Sequence, residues 1–238
     1  MKLLTSVKRE YITEKWNDFS SSRLEQLISG VDISYKEVLE PAIKSSLEST
    51  KKITRILDLG CGVGVLTKYY SKIASEVVGI DPAAVSIKNA AEYCDGVKNI
   101  KFVNSYMEDY NSEEKFDVII SNMVLMDTLN IEGVLSSVSR NLILNGAFIF
   151  TITHPCFYPI YYKYDEKDWF NYSQELIIEN DFTISKETSS YKTIHIHRPI
   201  ELYLNLLNKN NLSIVECKEL SGSNFKFPKF IIIKCQKI

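Results

Sequence analysis

A glycine-rich loop carries the strongest chemical signal in the sequence. Its residues are Asp58-Leu59-Gly60-Cys61-Gly62-Val63-Gly64, and it follows a short apolar run that is typical of a buried strand. Three alternating glycines allow positive φ angles and let a ligand lie against the backbone, since no Cβ stands in the way. The helix expected after the loop offers free N–H groups in its first turn. We therefore predict a ligand site at a strand-to-helix junction.

The spacing of these glycines separates two classes of ligand. A dinucleotide-binding loop needs the pattern G-x-G-x-x-G, but Val65 stands where the third glycine is required. The acidic Asp58 would also repel a phosphate. The loop therefore favours a ligand that carries an amino group and no pyrophosphate. Asp58 itself has two interpretations, which are direct ligand contact and a structural carboxylate that bonds the N–H groups of the loop.

A second carboxylate, Asp81, ends the next predicted strand, twenty-one residues after Gly60. A carboxylate at this place can accept hydrogen bonds from both hydroxyls of a ribose. The alternative is a helix N-cap, since Pro82 suits the first turn of a helix. The combination of a glycine loop with an acid at the end of the next strand favours the ribose role.

All three histidines, His154, His195 and His197, come after the fifth predicted strand. A histidine has an ordinary pKa of about 6.5, which suits it to general-base catalysis. His154 would orient a nucleophile or take its proton, and the alternative is a strand-end residue positioned by Pro155. Strand alternation places His195 and His197 on one face, where at least one of them can be solvated. The candidate catalytic residues are His154 and His197.

Apolar runs alternate with amphipathic stretches along most of the chain. This alternation predicts parallel strands joined by helices that cover both faces of a sheet. The expected strands are 53–59, 77–81, 100–103, 116–121, 147–152, 212–220 and 230–235. The last two should pair antiparallel, because only the short segment 221–224 joins them. The predicted fold class is α/β, with a doubly wound, Rossmann-like, mostly parallel seven-stranded sheet that ends in an antiparallel hairpin.

The chain divides into three parts of a single predicted domain. Residues 1–50 form a helical cap, residues 51–154 with 197–238 form the core, and residues 155–196 form an insertion. The insertion is rich in aromatic residues and follows the carboxyl end of a strand, where α/β folds place ligand sites. We expect a lid with Phe157 and Tyr161 at a substrate pocket, or aromatic packing beneath a lid. In the cap, Trp16 either covers the ligand or takes part in the core packing of its helix.

Composition and charge limit the possible partners. The 238 residues are 45% hydrophobic and 24% charged, as in a globular protein. The net charge of −2 disfavours contacts with a phosphate backbone, so no nucleic acid is expected. No apolar run is long enough for a membrane span, and the N-terminus lacks a secretory apolar region. The five scattered cysteines fit reduced thiols and no metal site. We expect a cytoplasmic protein that is a monomer or a homodimer.

With these motifs in place, the sequence resembles the class I S-adenosylmethionine-dependent methyltransferases. The resemblance covers residues 53–154 well and the final helix and hairpin in outline, and it rests on residues 56–64, 77–81, 116–122 and 145–148. Residues 122–127, 153–157 and 197–199 are similar to a bacterial subgroup that methylates small molecules. The resemblance implies S-adenosylmethionine as the cofactor, S-adenosylhomocysteine as the product, and a small-molecule acceptor methylated by in-line displacement.

The resemblance also implies roles for individual residues. The glycine loop would line the methionine moiety, Asp81 would hold the ribose, and the residues after the third strand would flank the adenine. The family often has an acidic residue there for the adenine amino group, but this chain has Tyr106-Met107-Glu108. The candidate cofactor-binding residues are Asp58, Gly60, Cys61, Gly62, Gly64, Asp81, Pro82, Tyr106, Met107, Glu108, Asn122, Met123 and Trp16. The candidate substrate-binding residues are Phe157, Tyr161 and Arg198.

Two alternative functions stay open at this point. A methyltransferase that acts on RNA or on a protein side chain would share the loop, but no basic stripe is evident, and the tip of the fourth strand, Ser121-Asn122-Met123-Val124, differs from the N-P-P-Y type. A non-catalytic S-adenosylmethionine-binding protein would also share the loop. The aromatic insertion favours an acceptor pocket over both.

Overall fold

A computed structural model describes residues 1–50, 53–182, 191–222 and 225–238. Its strands are β1 (Lys2–Leu4), β2 (Arg55–Leu59), β3 (Glu76–Asp81), β4 (Ile100–Asn104), β5 (Phe116–Asn122), β6 (Leu142–Thr153), β7 (Leu176–Phe182), β8 (Tyr191–His197), β9 (Leu212–Ser221) and β10 (Pro228–Lys237). Its α-helices are α1 (Arg9–Ser29), α2 (Glu40–Glu48), α3 (Val65–Tyr70), α4 (Ala84–Tyr93), α5 (Ile131–Asn141), α6 (Tyr158–Tyr162) and α7 (Ile200–Lys209). A π-helical segment, Tyr35–Leu39, leads into α2, and a 3-10 turn, Leu125–Asp127, follows β5.

The central sheet of the described residues has seven strands in the order β4-β3-β2-β5-β6-β10-β9. The pairs among β4, β3, β2, β5 and β6 are parallel. β10 pairs antiparallel with both β6 and β9. The α/β fold with a terminal antiparallel hairpin that the sequence predicts is therefore confirmed.

Side chains on the two faces of this sheet enter two different hydrophobic cores. Leu57 and Ile119 point to one core, which α5 and α7 cover. Ile56 and Val118 point to the other, which α2 and α3 cover. Burial on both faces explains why these parallel strands are almost continuously apolar in sequence.

The strand order places a crevice at one edge of the sheet. The chain runs from β2 outward to β3 and β4, and then returns to the other side of β2 as β5. Ligands of open α/β sheets bind outside the carboxyl ends of the strands at such a reversal. The glycine loop follows β2 at this edge. The strand order therefore indicates the loop as the candidate ligand site.

Two α-helices, α1 and α2, make up most of the N-terminal cap. α1 has 21 residues and ends at Gly30, whose φ of 75° suits glycine. Pro41 lies in the first turn of α2, where its missing N–H costs nothing.

Among the described residues, no helix combines the length and apolar composition that a membrane span requires.

A second, smaller sheet joins the first residues of the chain to the insertion. β1 pairs antiparallel with β7, and β7 pairs antiparallel with β8. The sequence analysis did not predict β1 or this pairing. The division into cap, core and insertion stays a prediction, although the cap and the insertion share this sheet. Residues 51–52 of the predicted core, 183–190 of the insertion and 223–224 of the predicted hairpin joint lie outside the described residues.

One local prediction is wrong. Pro82 was expected in the first turn of a helix, but α4 begins at Ala84 and Ala83 is extended, with φ −78° and ψ 105°. Pro82 therefore lies in the connection before the helix. Its ring restricts this connection at the carboxyl end of β3.

Candidate functional site

Two neighbouring cavities lie at the carboxyl edge of the central sheet. The first cavity, of about 180 Å³, lies between the glycine loop, the ends of β3 and β5, and α1. The second cavity, of about 140 Å³, lies between α6, β7, β8 and the start of β10. Both are lined by Trp16, Arg23, Met123 and Asp127. We call these four residues the shared wall.

The three glycines of the loop have positive φ angles for different reasons. A Cβ on Gly60 would lie 2.4 Å from the side chain of Val124, and one on Gly64 would lie 2.9 Å from the Cβ of Ala90. A Cβ on Gly62, with φ 51°, would meet nothing within 4 Å. Gly60 and Gly64 therefore allow close packing of the protein on itself, whereas Gly62 borders open space in the first cavity.

Asp81 connects the glycine loop to the turn after β3. Its Oδ2 accepts a hydrogen bond from the N–H of Gly62 at 2.9 Å, and its Oδ1 accepts one from the N–H of Ala83 at 2.8 Å. The N-cap interpretation of Asp81 is wrong, because Ala83 is the residue that precedes α4 and no side chain caps this helix. The ribose role stays a prediction, and the carboxylate keeps capacity for it, because it can accept about four hydrogen bonds and two are used here. Burial raises the pKa of Asp81 to about 6, despite these two bonds.

This pKa predicts how ligand affinity depends on pH. Ribose hydroxyls donate to the ionised carboxylate, so S-adenosylhomocysteine should bind the deprotonated form. The pKa of Asp81 in the ligand-free protein is about 6. The dissociation constant of S-adenosylhomocysteine should therefore rise by about tenfold when the pH is lowered from about 7 to about 5. Isothermal titration calorimetry checks this, and Asp81→Asn should bind weakly without that pH dependence. An identical dependence in the variant would assign it to another group.

Asp58 lies at the end of β2 but not on the cavity surface. It is 2% exposed, and its Oδ2 accepts a hydrogen bond from the hydroxyl of Thr67 on α3 at 2.5 Å. Burial raises its pKa to about 7. The structure thus shows Asp58 holding α3 against β2 through Thr67, a partner that the sequence analysis did not consider. Direct ligand contact by Asp58 stays a prediction.

The segment expected to flank an adenine presents one residue to the first cavity, Met107. Arg9 of α1 lies over the ring of Tyr106 at 3.9 Å, and its guanidinium pairs with Glu108 at 3.1 Å. The hydroxyl of Thr13 also donates to the Tyr106 hydroxyl at 3.2 Å. Tyr106 and Glu108 are therefore engaged with α1, so ligand contact by either of them stays a prediction.

The end of β5 is held in an unusual backbone conformation. Met123 has φ 57°, and its N–H donates to the carbonyl of Thr151 at 3.0 Å. The Thr151 hydroxyl donates to Oδ1 of Asn122 at 2.7 Å. Positive φ in a non-glycine residue is uncommon and often occurs at functional sites. Asn122 and Met123 both line the first cavity, and their contact with a cofactor stays a prediction.

Asp127 is a site residue that the sequence analysis did not single out. Within the described part of the chain its carboxylate has neither a hydrogen bond nor an ion pair, although it lines both cavities. Burial raises its pKa well above the usual range, against a smaller opposing effect of Arg198. The segment 122–127 was noted in the sequence, but no spacing rule shows that the turn after β5 aims this acid at the shared wall.

The two predicted catalytic histidines lie away from both cavities. Nδ1 of His154 accepts from the N–H of Cys156 at 3.2 Å, so Nε2 carries the proton and donates to Glu219 at 2.9 Å. His197 is 1% exposed, and its Nε2 donates to the carbonyl of Tyr172 at 3.0 Å. Burial lowers the pKa of His197. Their catalytic roles stay predictions, and this geometry favours packing instead.

His195 and Tyr161 do line the second cavity, whereas Phe157 does not lie on its lining. Burial and the neighbouring His197 and Arg198 lower the pKa of His195 to about 3, so its ring is neutral at pH 7. Phe157 stacks on Phe227 with ring centroids 4.9 Å apart. Substrate contact by Phe157 stays a prediction.

Arg198 is engaged within the protein rather than open to a substrate. Its side chain is fully buried and pairs with Glu175. The guanidinium also donates to the carbonyls of Leu125, Thr128 and Leu129. These three bonds to carbonyls fix the segment after β5, which carries Asp127. Contact of Arg198 with a substrate stays a prediction. The bonds to Glu175 and the carbonyls disfavour it, because they already occupy the guanidinium.

Comparison with known proteins agrees with this geometry. A family model described as "Methyltransferase domain" matches residues 50–211, more than half of the chain. The chain belongs to this methyltransferase domain family. The class I S-adenosylmethionine-dependent methyltransferase family and the cofactor that the sequence resemblance implied are thereby confirmed.

Two curated methyltransferases and one solved structure illustrate the relationship. The malonyl-[acyl-carrier protein] O-methyltransferase of Bacillus cereus is 30% identical over 158 residues, 65% of this chain and 56% of that protein. The ubiquinone biosynthesis O-methyltransferase of Rhodopseudomonas palustris is 31% identical over 83 residues, 34% of this chain and 33% of that protein. The chain therefore matches between a third and just over half of the length of these relatives. A methyltransferase structure from Clostridium acetobutylicum is 18% identical, covers 93% of this chain and 98% of its own, and has a TM-score of 0.65.

The first cavity of this methyltransferase fits its cofactor on structural grounds. Gly62 leaves open space where a side chain would stand, and Asp81 keeps acceptor capacity for a diol. Trp16 offers an aromatic surface to a sulfonium cation on the shared wall. Arg23 also lines this cavity, but its guanidinium already pairs with Asp32 at 2.7 Å. The residues present thus suit an uncharged ribose and a cationic centre.

The structural role of Arg198 in this methyltransferase gives a second prediction. Arg198→Met should lower the free energy of unfolding by about 3–5 kcal/mol, because it leaves buried carbonyls and Glu175 without a donor. Urea unfolding measures the change. Arg140→Met removes an exposed arginine bonded to Asn111 and the carbonyl of Tyr110 and should cost less than about 1 kcal/mol. Equal losses in the two variants would contradict the role.

Proposed function

We propose that this protein transfers a methyl group from S-adenosylmethionine to a small-molecule acceptor bound in the second cavity. The observation that carries the proposal is the shared wall, where the cofactor cavity meets a cavity lined by tyrosines, His195 and Lys229. A reacting methyl group needs to lie at such a junction, in line between donor and acceptor.

The residues that would hold the cofactor follow from the lining of the first cavity. Asp81 would accept from the ribose hydroxyls, and Gly62 would let the methionine moiety approach the backbone. Met107 would pack against the adenine, while Trp16 of α1 would cover the sulfonium from the other side. Cys61, Pro82 and Asn122 also line this cavity. When bound, the cofactor supplies a methyl group activated by the positive sulfur to which it is attached.

Asp127 would be the proton acceptor for the nucleophile. Its carboxylate lies on the shared wall without a partner among the described residues. With the cofactor bound, the acceptor oxygen would receive the methyl group as the sulfur leaves with the bonding pair, and Asp127 would take the proton of the acceptor hydroxyl. Burial raises the pKa of Asp127, so its carboxylate, where ionised, is a stronger base than an ordinary one. An oxygen acceptor agrees with the two curated relatives, which are named O-methyltransferases.

The dimensions of the second cavity favour a metabolite over a macromolecule. The small sheet and α6 border it, and its rings include Tyr158, Tyr161 and Tyr162. A flat or short acceptor would pack between these rings, away from water.

The free thiols of all five cysteines also suit a cytoplasmic protein, which is the location we propose.

Binding and transfer measurements test the proposed function. S-adenosylhomocysteine should raise the melting temperature, whereas NADH should leave it unchanged. Radiolabelled cofactor, incubated with the protein and a metabolite extract, should give labelled small molecules and no labelled transfer RNA or protein. Stabilisation by NADH alone, or label found only in RNA, would overturn the proposal.

A further inference from the structure

Lys229 is a buried cation at the start of β10. The residue is 8% exposed, and its Nζ lies 3.9 Å from the centroid of the Tyr161 ring. Both residues line the second cavity. The antiparallel pairing of β10 with β6 brings this end of β10 to the carboxyl edge of the sheet, beside Thr153. A residue remote from the glycine loop in sequence therefore belongs to the same site.

The ammonium group of Lys229 has no charged partner in the described part of the chain. It makes no hydrogen bond and no ion pair there, and its contacts are the rings of Tyr161 and Phe230. Asp32, another acid on this cavity, already pairs with Arg23 at 2.7 Å. Removing an ammonium from water is costly unless an anion compensates it. The cavity therefore offers an unused cation.

A second buried lysine on the same strand, Lys234, has hydrogen-bond acceptors around its ammonium group and serves as a comparison. Lys234 is also 8% exposed, but its Nζ donates to the carbonyl of Ser46 and to the hydroxyls of Ser49 and Thr50. These three acceptors lie at the C-terminal end of α2. The protein thus supplies oxygen acceptors to the ammonium of Lys234. The described residues supply no such acceptor to Lys229, whose side chain lines a cavity instead.

The position of Lys229 also separates it from the reacting atoms. Asp127 lines both cavities, whereas Lys229 lines the second one alone. A molecule whose nucleophile contacts Asp127 at the shared wall would therefore place a different group at Lys229.

We propose that Lys229 binds an anionic group of the acceptor, so that the acceptor is a small hydroxy acid whose methylated hydroxyl is distinct from its carboxylate. The acid pairs with the ammonium and its body packs on Tyr161, while the hydroxyl lies toward Asp127. This inference rests on the proposed function, because the shared wall defines where the hydroxyl lies.

Matched acids and amides test the charge that the site selects. The probes are 3-hydroxybenzoate, 4-hydroxybenzoate and 3-hydroxybutyrate, each beside its neutral amide, titrated calorimetrically into the protein with and without S-adenosylhomocysteine. At least one acid should bind about tenfold more tightly than its amide, the effect expected of one charge-assisted hydrogen bond. If no acid binds more tightly than its amide, the proposal is overturned.

Three variants assign the preference to Lys229. Lys229→Met should remove the preference for the acid and leave amide binding within about twofold, whereas Lys229→Arg should retain most of it. Lys226→Met removes an exposed lysine that lies over Phe227, and the preference should not change. Circular dichroism and the thermal response to S-adenosylhomocysteine report that each variant is folded. A preference that persists in Lys229→Met would overturn the assignment.

The product chemistry and the cofactor response separate the two proposals. A methylated acid should carry an ether, which resists mild alkali, and release of methanol by alkali would reveal an ester and overturn the placement of the carboxylate. A preference for acids without any response to S-adenosylhomocysteine would refute the proposed function and leave the anion site. A response to S-adenosylhomocysteine without a preference for acids would refute the anion site alone.

Discussion

Replacing Asp127 with asparagine should reduce methyl transfer by about 10²–10⁴-fold, the usual contribution of a general base. Asparagine has nearly the same shape but cannot take a proton at the shared wall. Affinity for S-adenosylhomocysteine should stay within about threefold, because other residues bind the cofactor. Initial rates with labelled cofactor and calorimetry measure the two quantities separately.

The pH profile and a histidine variant serve as controls for this expectation. Since burial holds the pKa of Asp127 well above its usual range, the wild-type rate should fall as pH decreases through that pKa, where the carboxyl becomes protonated. His154→Gln should keep most of the activity, because both ring nitrogens are bonded within the protein. A large loss in His154→Gln with little loss in Asp127→Asn would return the catalytic role to the histidine.

Gly62→Val should abolish measurable cofactor binding, a loss of at least about 100-fold. The branched side chain would occupy the open space of the first cavity, where no protein atom lies within 4 Å of a Cβ. Calorimetry with S-adenosylhomocysteine gives the affinity, and circular dichroism shows whether the fold persists.

Gly96→Val is a matched control for backbone strain. Gly96 also has a positive φ, of 80°, and open space around a Cβ, but it lies between α4 and β4, away from the cavities. Both variants carry the strain of a β-branched residue at positive φ, about 1–2 kcal/mol. Equal loss of binding in the two would show that strain, rather than occupied space, is responsible.

The parts of the fold that the sequence predicts are those fixed by local pattern. The strand 116–121 is apolar at four of its six positions, three of them consecutive, because both faces of a parallel strand are covered. The glycine loop is recognisable because its backbone demands are met by residues adjacent in sequence. The pairing of the last two strands follows from the short segment between them. Each of these predictions depends on neighbours along the chain.

The parts that the sequence did not predict depend on contacts between distant segments. Leu3 of β1 pairs with Ile178 of β7, and no pattern within three residues identifies such a partner. Arg198 resembles a substrate-binding cation until its three carbonyl partners after β5 are known. Lys229 and Asp127 gain their significance only from lining the same cavity. Charge and type are local properties, but whether a charge is already satisfied is a property of the fold.

The pairing of β1 with β7 has a practical consequence for producing the protein. Leu3 packs against the cluster of Tyr164, Leu176 and Ile178, and so do Tyr158 and Tyr162, two rings that border the second cavity. An affinity tag fused before residue 1 would therefore start beside the packing that supports the proposed acceptor site and should disturb its shape. β10 runs antiparallel to β6, so its last residues lie beside Ala147 at the opposite edge of the central sheet. A tag fused after Ile238, which is 66% exposed, would leave that site untouched.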